Sequence, residues 1–128
     1  MNSKRVWIYC RTAHPDADFL EAQERYMIGY AKEQGFTIVG ITSEYGSGLD
    51  FSRKGLKVVS NAIETRKADA ILVKDVSRLG RGMEEVDIYL NWLKKHNAEM
   101  LCADGTKPLL YADLRHSLME KYLAETAG

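Results

Sequence analysis

Apolar and β-branched residues gather in four short runs, at positions 4 to 10, 36 to 42, 69 to 75 and 98 to 103. Ile38-Val39-Gly40-Ile41 and Ala70-Ile71-Leu72-Val73 are the clearest. Runs of this length without polar alternation predict strands buried on both faces. Between them lie segments with helical periodicity, mostly apolar: Phe19, Gln23, Tyr26 and Tyr30, then Leu56, Val59 and Ile63, then Val86, Tyr89, Leu90 and Leu93. Each set predicts an amphipathic helix. The alternation predicts an α/β domain of three layers, α/β/α, around a mostly parallel sheet of four to five strands. Functional groups in such a sheet collect at the carboxyl ends of the strands. After Thr106-Lys107-Pro108, the four-residue spacing of Leu110, Leu114, Leu118 and Tyr122 predicts a last helix over about 110–126, suited to docking or dimerisation.

A chain of 128 residues with 45% hydrophobic composition is expected to form a single domain over 1–128. No apolar stretch reaches the roughly 20 residues that span a bilayer, and the first residues lack the long apolar run of a secretory leader. A cytoplasmic location without membrane attachment is the expectation. Cys10 and Cys102 both fall in strand-like runs and have no close Cys or His partner, which predicts buried free thiols. The formal charge is zero, but residues 53 to 82 hold eight Lys and Arg against three Asp and Glu, while both flanks are acidic. The basic centre suits an anionic partner such as phosphate. Lys54, Lys57, Arg66 and Lys67 within it read as a solvated helix face.

Four arginines stand at strand ends or helix starts. Arg11 ends the first strand in Tyr9-Cys10-Arg11-Thr12-Ala13, on the face of Tyr9 and, if the strand continues, of Ala13. The second strand ends in Glu44-Tyr45-Gly46-Ser47-Gly48, where the glycines let the chain turn tightly and Ser47 offers a hydroxyl. Arg53 opens the second helix, near a helix end that attracts anions. Arg78 and Arg81 follow the third strand and share a face if the turn there is helical. The ordinary reading of these two is pairing with Asp75, Glu84 or Glu85. Converging on one edge, Arg11, Arg53, Arg78 and Arg81 would cage a phosphodiester, because guanidinium forks bind phosphate oxygens bidentately. His14, His96 and His116 lack partners at metal or catalytic spacing, and neither a Walker loop nor a dinucleotide fingerprint is present. The sequence therefore implies no metal, no ATP and no NAD.

From about Arg5 to Asp104 the chain resembles the serine recombinases of the resolvase and invertase kind, and among them the recombinases of conjugative transposons. The resemblance is carried by Tyr9-Cys10-Arg11-Thr12-Ala13, Gln23, Glu44-Tyr45-Gly46-Ser47-Gly48, Arg53-Lys54-Gly55-Leu56 and Asp69-Ala70-Ile71-Leu72-Val73-Lys74. Ser77-Arg78-Leu79-Gly80-Arg81 completes it. It implies a cofactor-free reaction in which a serine attacks a DNA phosphodiester, forms a 5′-phosphoserine and releases a 3′-hydroxyl for rejoining. Arg11, Arg78 and Arg81 would stabilise the transition state, Arg53, Gln23 and Ser47 would organise the site, and Glu44 would be an acidic accessory.

Three departures stand out. Ala13 occupies the nucleophile position and has no oxygen with which to form the intermediate. Glu44 replaces an aspartate, and Ser77 stands where many members carry one. The chain also stops at Gly128, short of the long helix and DNA-binding domain of the family, either as a fragment or as a stand-alone remnant. Neutral overall and with no recognition module in the sequence, it is expected to bind DNA weakly and without sequence preference. Homo-oligomers, dimers or a tetrameric synapse, are the family's assemblies. Two readings follow: a recombinase catalytic domain whose nucleophile is substituted, or a naturally silent pseudo-recombinase acting as a regulatory or protein-interaction module. A third, a signalling or small-ligand module that only borrows the fold, leaves the arginines unexplained.

Overall fold

The computed structural model describes residues 3–108. Its elements run β1 (Arg5–Thr12), α1 (Ala17–Glu33), β2 (Thr37–Tyr45), α2 (Lys54–Glu64), β3 (Ala70–Val73), the single turn α3 (Val76–Leu79), α4 (Met83–Lys95) and β4 (Glu99–Cys102). The four strands among the described residues form one parallel sheet in the order β2-β1-β3-β4. Parallel strands need crossovers, and helices supply each one, which is why strand and helix alternate along the chain.

Both faces are covered. On one, Val6, Ile8, Cys10, Ala70 and Leu72 meet Leu20, Met27 and Ala31 of α1. On the other, Tyr9, Ile71, Val73 and Met100 meet Leu56, Val59 and Ile63 of α2, Leu79 of α3 and Leu93 of α4. The side chains of β1 thus alternate between the two cores, as period-two geometry requires. The three layers match the sequence-based expectation, and so do the buried thiols of Cys10 and Cys102. Burial pushes the Cys10 thiol up to about 11.

Helix α1 is turned differently from the aromatic spacing predicted. Its buried residues are Leu20, Gln23, Met27 and Ala31, while Phe19 and Tyr26 remain 42% and 53% exposed. Asp16 sets the start of this helix, its side chain accepting the Phe19 amide. On α4 only Leu93 is fully buried, with Val86, Tyr89 and Leu90 partly covered. Lys54 and Lys57 are exposed on α2, and Arg66 and Lys67 are exposed just beyond it. The helix expected over 110–126, and His116 with it, lie outside the described residues.

Strand β1 outruns its neighbour, and that shapes the site. It pairs with β3 only from Val6 to Ile8, but with β2 all the way to Thr12. The β3 side of its last residues is therefore open to side chains.

Candidate functional site

Arg11, near the end of β1, is fully buried. Its Nε donates to the Arg78 carbonyl at 3.0 Å, Nη1 to the Gly46 carbonyl at 2.9 Å and Nη2 to the Ser77 carbonyl at 2.5 Å. Burial lowers its pKa most, with the neighbouring charges of Arg53, Arg78 and Arg81 acting the same way. Its main chain is held as well. Gln23, buried on α1, accepts the Arg11 amide at 3.3 Å and donates to the Arg11 carbonyl at 3.3 Å. A side-chain amide thereby takes the place that an adjacent strand would fill, at the point where pairing with β3 has ended.

The turn α3 is a hub because its ends have unsatisfied groups. At its start Asp75 accepts the Ser77 amide at 3.0 Å and also the Ser77 hydroxyl. At its end three successive carbonyls point at guanidiniums: Ser77 and Arg78 receive Arg11, and Leu79 receives Nη2 of Arg53. Arg53 also donates to the Ser47 carbonyl at 3.2 Å, and its guanidinium lies 5.6 Å from the ring centroids of both Tyr9 and Phe51. It is buried, and its Nε has no hydrogen-bond partner.

Glu44 is not a free acid beside these cations. Its carboxylate accepts the Gly55 amide at 2.8 Å, the Leu56 amide at 3.1 Å and the Tyr9 hydroxyl at 2.5 Å. The positive end of α2 expected to draw an external anion is thus already satisfied from within the chain. Tyr9 sits far above its ordinary pKa, chiefly through burial and then through this hydrogen bond. Ser47 likewise turns inward, its Oγ accepting the Leu49 amide at 3.1 Å.

The glycines of the β2–α2 loop make room for arginines. A β-carbon on Gly48 would stand 2.8 Å from Cγ of Arg81 and 3.1 Å from Nη2 of Arg11, and one on Gly46 would stand 3.0 Å from Cδ of Arg53. The same loop receives the Arg81 amide on the Gly48 carbonyl at 2.8 Å. Arg78 donates from Nη1 to the Arg11 carbonyl at 3.2 Å, and its Nε is 3.8 Å from Asp75, with no hydrogen bond. Arg81 is exposed.

The four arginines of the sequence analysis therefore converge, but they divide into two kinds. Arg11 and Arg53 are buried and grip main-chain carbonyls through their terminal nitrogens, whereas Arg78 is only partly buried, between the Arg11 carbonyl and Asp75, and Arg81 is exposed. Ala13 follows directly on β1, exposed in the bend before α1. The strand stops at Thr12, so the face of Ala13 is set by this bend instead of by strand alternation. Thr12 itself is 7% exposed, and alternation puts it on the face of Cys10, away from Arg11.

Sequence reasoning offered Asp75 as a partner for Arg78 or Arg81, and the Arg78–Asp75 ion pair bears that out, but it missed Asp75 at the start of α3 and gave Tyr9 no part beside Arg53 and Glu44. Each could have been found by asking what satisfies a buried guanidinium or a helix start. His14 is exposed and His96 holds the Trp92 carbonyl at 2.9 Å. Among the described residues no three His, Cys, Asp or Glu are grouped to hold a metal ion, and no helix is long and apolar enough to cross a membrane.

Known proteins share this fold. The family model described as the resolvase N-terminal domain matches residues 6–127. In structure the chain is similar to the C-terminal catalytic domain of ISC1926 TnpA, an IS607-like serine recombinase. The identity is 26% and the TM-score 0.74, over 94% of this chain and 79% of that one. It shares its fold with the N-terminal catalytic domain of TP901-1 integrase, at 20% identity and a TM-score of 0.75, covering 96% and 98% of the two chains. It also shares its fold with a resolvase family site-specific recombinase from Streptococcus pneumoniae, at 18% identity and a TM-score of 0.70, covering 98% and 100%. The chain belongs to the resolvase N-terminal domain family, the catalytic domain of serine recombinases.

Proposed function

We propose that this chain engages the phosphodiester backbone of DNA at the carboxyl ends of β1 and β3 as the strand-transfer domain of a site-specific recombinase, and that Ala13 silences its covalent step. The convergence of Arg11, Arg53, Arg78 and Arg81 beside the residue-13 bend carries this reading. With a hydroxyl at position 13, its oxygen would bond to phosphorus and the 3′-oxygen would leave with a proton, giving a 5′-phosphoserine and a 3′-hydroxyl. Rejoining reverses both bond changes. Arg78 and Arg81 would meet the charge that develops on the phosphate oxygens. Arg11 and Arg53 would hold the loops that aim them, with Gln23 fixing Arg11, Glu44 holding the start of α2 and Ser47 shaping the turn.

The alternative, a silent regulatory or interaction module, draws on one observation: the buried hydrogen-bond network around Arg11 is complete although Ala13 lacks the nucleophile. In either case we place the protein on DNA of a mobile element in the cytoplasm, working as a homo-oligomer.

The test is binding to a short duplex as salt is varied. Weak binding without sequence preference is expected, and the double variant Arg78→Ala, Arg81→Ala should bind more weakly with a salt slope shallower by about two. An unchanged slope, or tight binding to one sequence, would contradict the proposal.

A further inference from the structure

Phe19 and Tyr26 lie two turns apart on one flank of α1, half exposed where the helical spacing had predicted an apolar contact face. Each has a cation over its ring. The guanidinium carbon of Arg78 is 5.6 Å from the Phe19 centroid, and Nζ of Lys74 is 5.9 Å from the Tyr26 centroid. Both cations belong to the segment that leaves β3, so one helix flank serves two successive charges at the edge of the arginine cluster. Among the described residues no carboxylate comes within ion-pair distance of Lys74.

We propose that Phe19 and Tyr26 are positioning residues that hold Arg78 and Lys74 toward the DNA backbone, and that Lys74 is a further phosphate contact. This rests on the reading of the arginine cluster as a DNA-backbone site. The physical reason is entropic as well as electrostatic. Arg and Lys side chains lose much rotamer freedom when they grip a phosphate. A ring whose negative face attracts the cation removes part of that freedom beforehand while leaving the charge uncompensated. A carboxylate partner would restrain the same side chain but offset its charge: Arg78 has Asp75 at 3.8 Å on one edge, whereas Lys74, among the described residues, depends on its ring alone for restraint and keeps its full charge. Arg78 is fixed further by its bond to the Arg11 carbonyl, which leaves Lys74 the more dependent of the two on its ring.

The test uses the full chain with Phe19→Leu and Tyr26→Leu, which keep apolar bulk but remove the ring, and with Phe19→Tyr and Tyr26→Phe as conservative rescues. Both sites are exposed, so the fold should survive. In NMR spectra the Arg78 Nε–H resonance should carry a ring-current shift that disappears in Phe19→Leu and persists in Phe19→Tyr. Binding to a short duplex at low salt should weaken about two- to fivefold in each Leu variant and recover in the rescues. Lys74→Ala should weaken it by at least as much as Tyr26→Leu, and Phe19→Leu should have no further effect once Arg78 is Ala. Leu variants that bind like the parent overturn the proposal and leave the DNA reading standing. So does a Phe19→Leu effect that is the same with or without Arg78, or a ring-current shift that survives the loss of the ring. A parent chain that binds no duplex overturns both.

Discussion

The two ends of the sheet treat charge in opposite ways. At the amino ends of the strands, cations meet carboxylates: Arg5 forks onto Asp69 with contacts of 2.8 and 3.1 Å, and Lys4 pairs with Glu99. The Asp69 carboxyl is held below its ordinary pKa, first by the hydrogen bond from Arg5. At the carboxyl ends the acids are employed elsewhere. Glu44, Asp50, Asp75 and Asp104 each accept backbone amides, of Gly55 and Leu56, Ser52, Ser77 and Thr106 respectively. The cations there mostly bond to carbonyls or face aromatic rings, neither of which cancels a full charge, and the ion pair from Arg78 to Asp75 is long, at 3.8 Å and without a hydrogen bond. One pole is therefore internally compensated, and the other keeps a positive field. An end that only had to fold would not need that difference.

The largest expected effect sharpens this contrast. Arg11→Ala would leave the Gly46, Ser77 and Arg78 carbonyls without their donor and open a buried cavity, costing about 3–5 kcal/mol of the stability measured by urea unfolding. Arg5→Ala at the other pole should barely move the unfolding midpoint, because exposed pairs contribute little. Equal effects would break the distinction between the poles. A smaller effect is expected at Gly48, where the added methyl of Gly48→Ala must displace the Arg81 stem. DNA binding should fall a few-fold while stability drops by about 1–2 kcal/mol, the usual range for a small overpacking. Gly29→Ala, where nothing lies within 4 Å of the new atom, is the control. It should raise stability by about 0.5–1 kcal/mol, the helix-propensity difference, and leave DNA binding alone.

Much of this was legible in the sequence. Strands β1 and β3 announce themselves because a strand buried on both faces admits few polar residues, and the four arginines were found because strand ends converge in a parallel sheet. The rotation of α1 was not legible. The series Phe19, Gln23, Tyr26, Tyr30 and the series Leu20, Gln23, Met27, Ala31 fit the helical period equally well. What separates them is the presence of Arg78 and Lys74 beside one flank, a tertiary fact. The division among the arginines was hidden for a similar reason. Whether a guanidinium meets a carbonyl or solvent depends on the one-turn helix α3 and on the length difference between β1 and β3, both set by packing. Glu44 illustrates the same limit, since its spacing marks it as a site residue and only the start of α2 shows what it holds.

The most direct test of the account asks whether the carboxyl pole lacks only a nucleophile. The Ala13 chain and Ala13→Ser, each joined to a borrowed dimerisation helix and DNA-binding domain, are incubated with a nicked or supercoiled substrate, denatured, and examined for protein-linked DNA. The account predicts no adduct with Ala13 and a detectable 5′-linked adduct on residue 13 with serine, because the arginines position and stabilise but supply no attacking oxygen. An adduct from the Ala13 chain, mapped to Thr12 or Ser47, would contradict it. A folded, DNA-bound Ala13→Ser protein that stays silent would also contradict it and would favour the regulatory module.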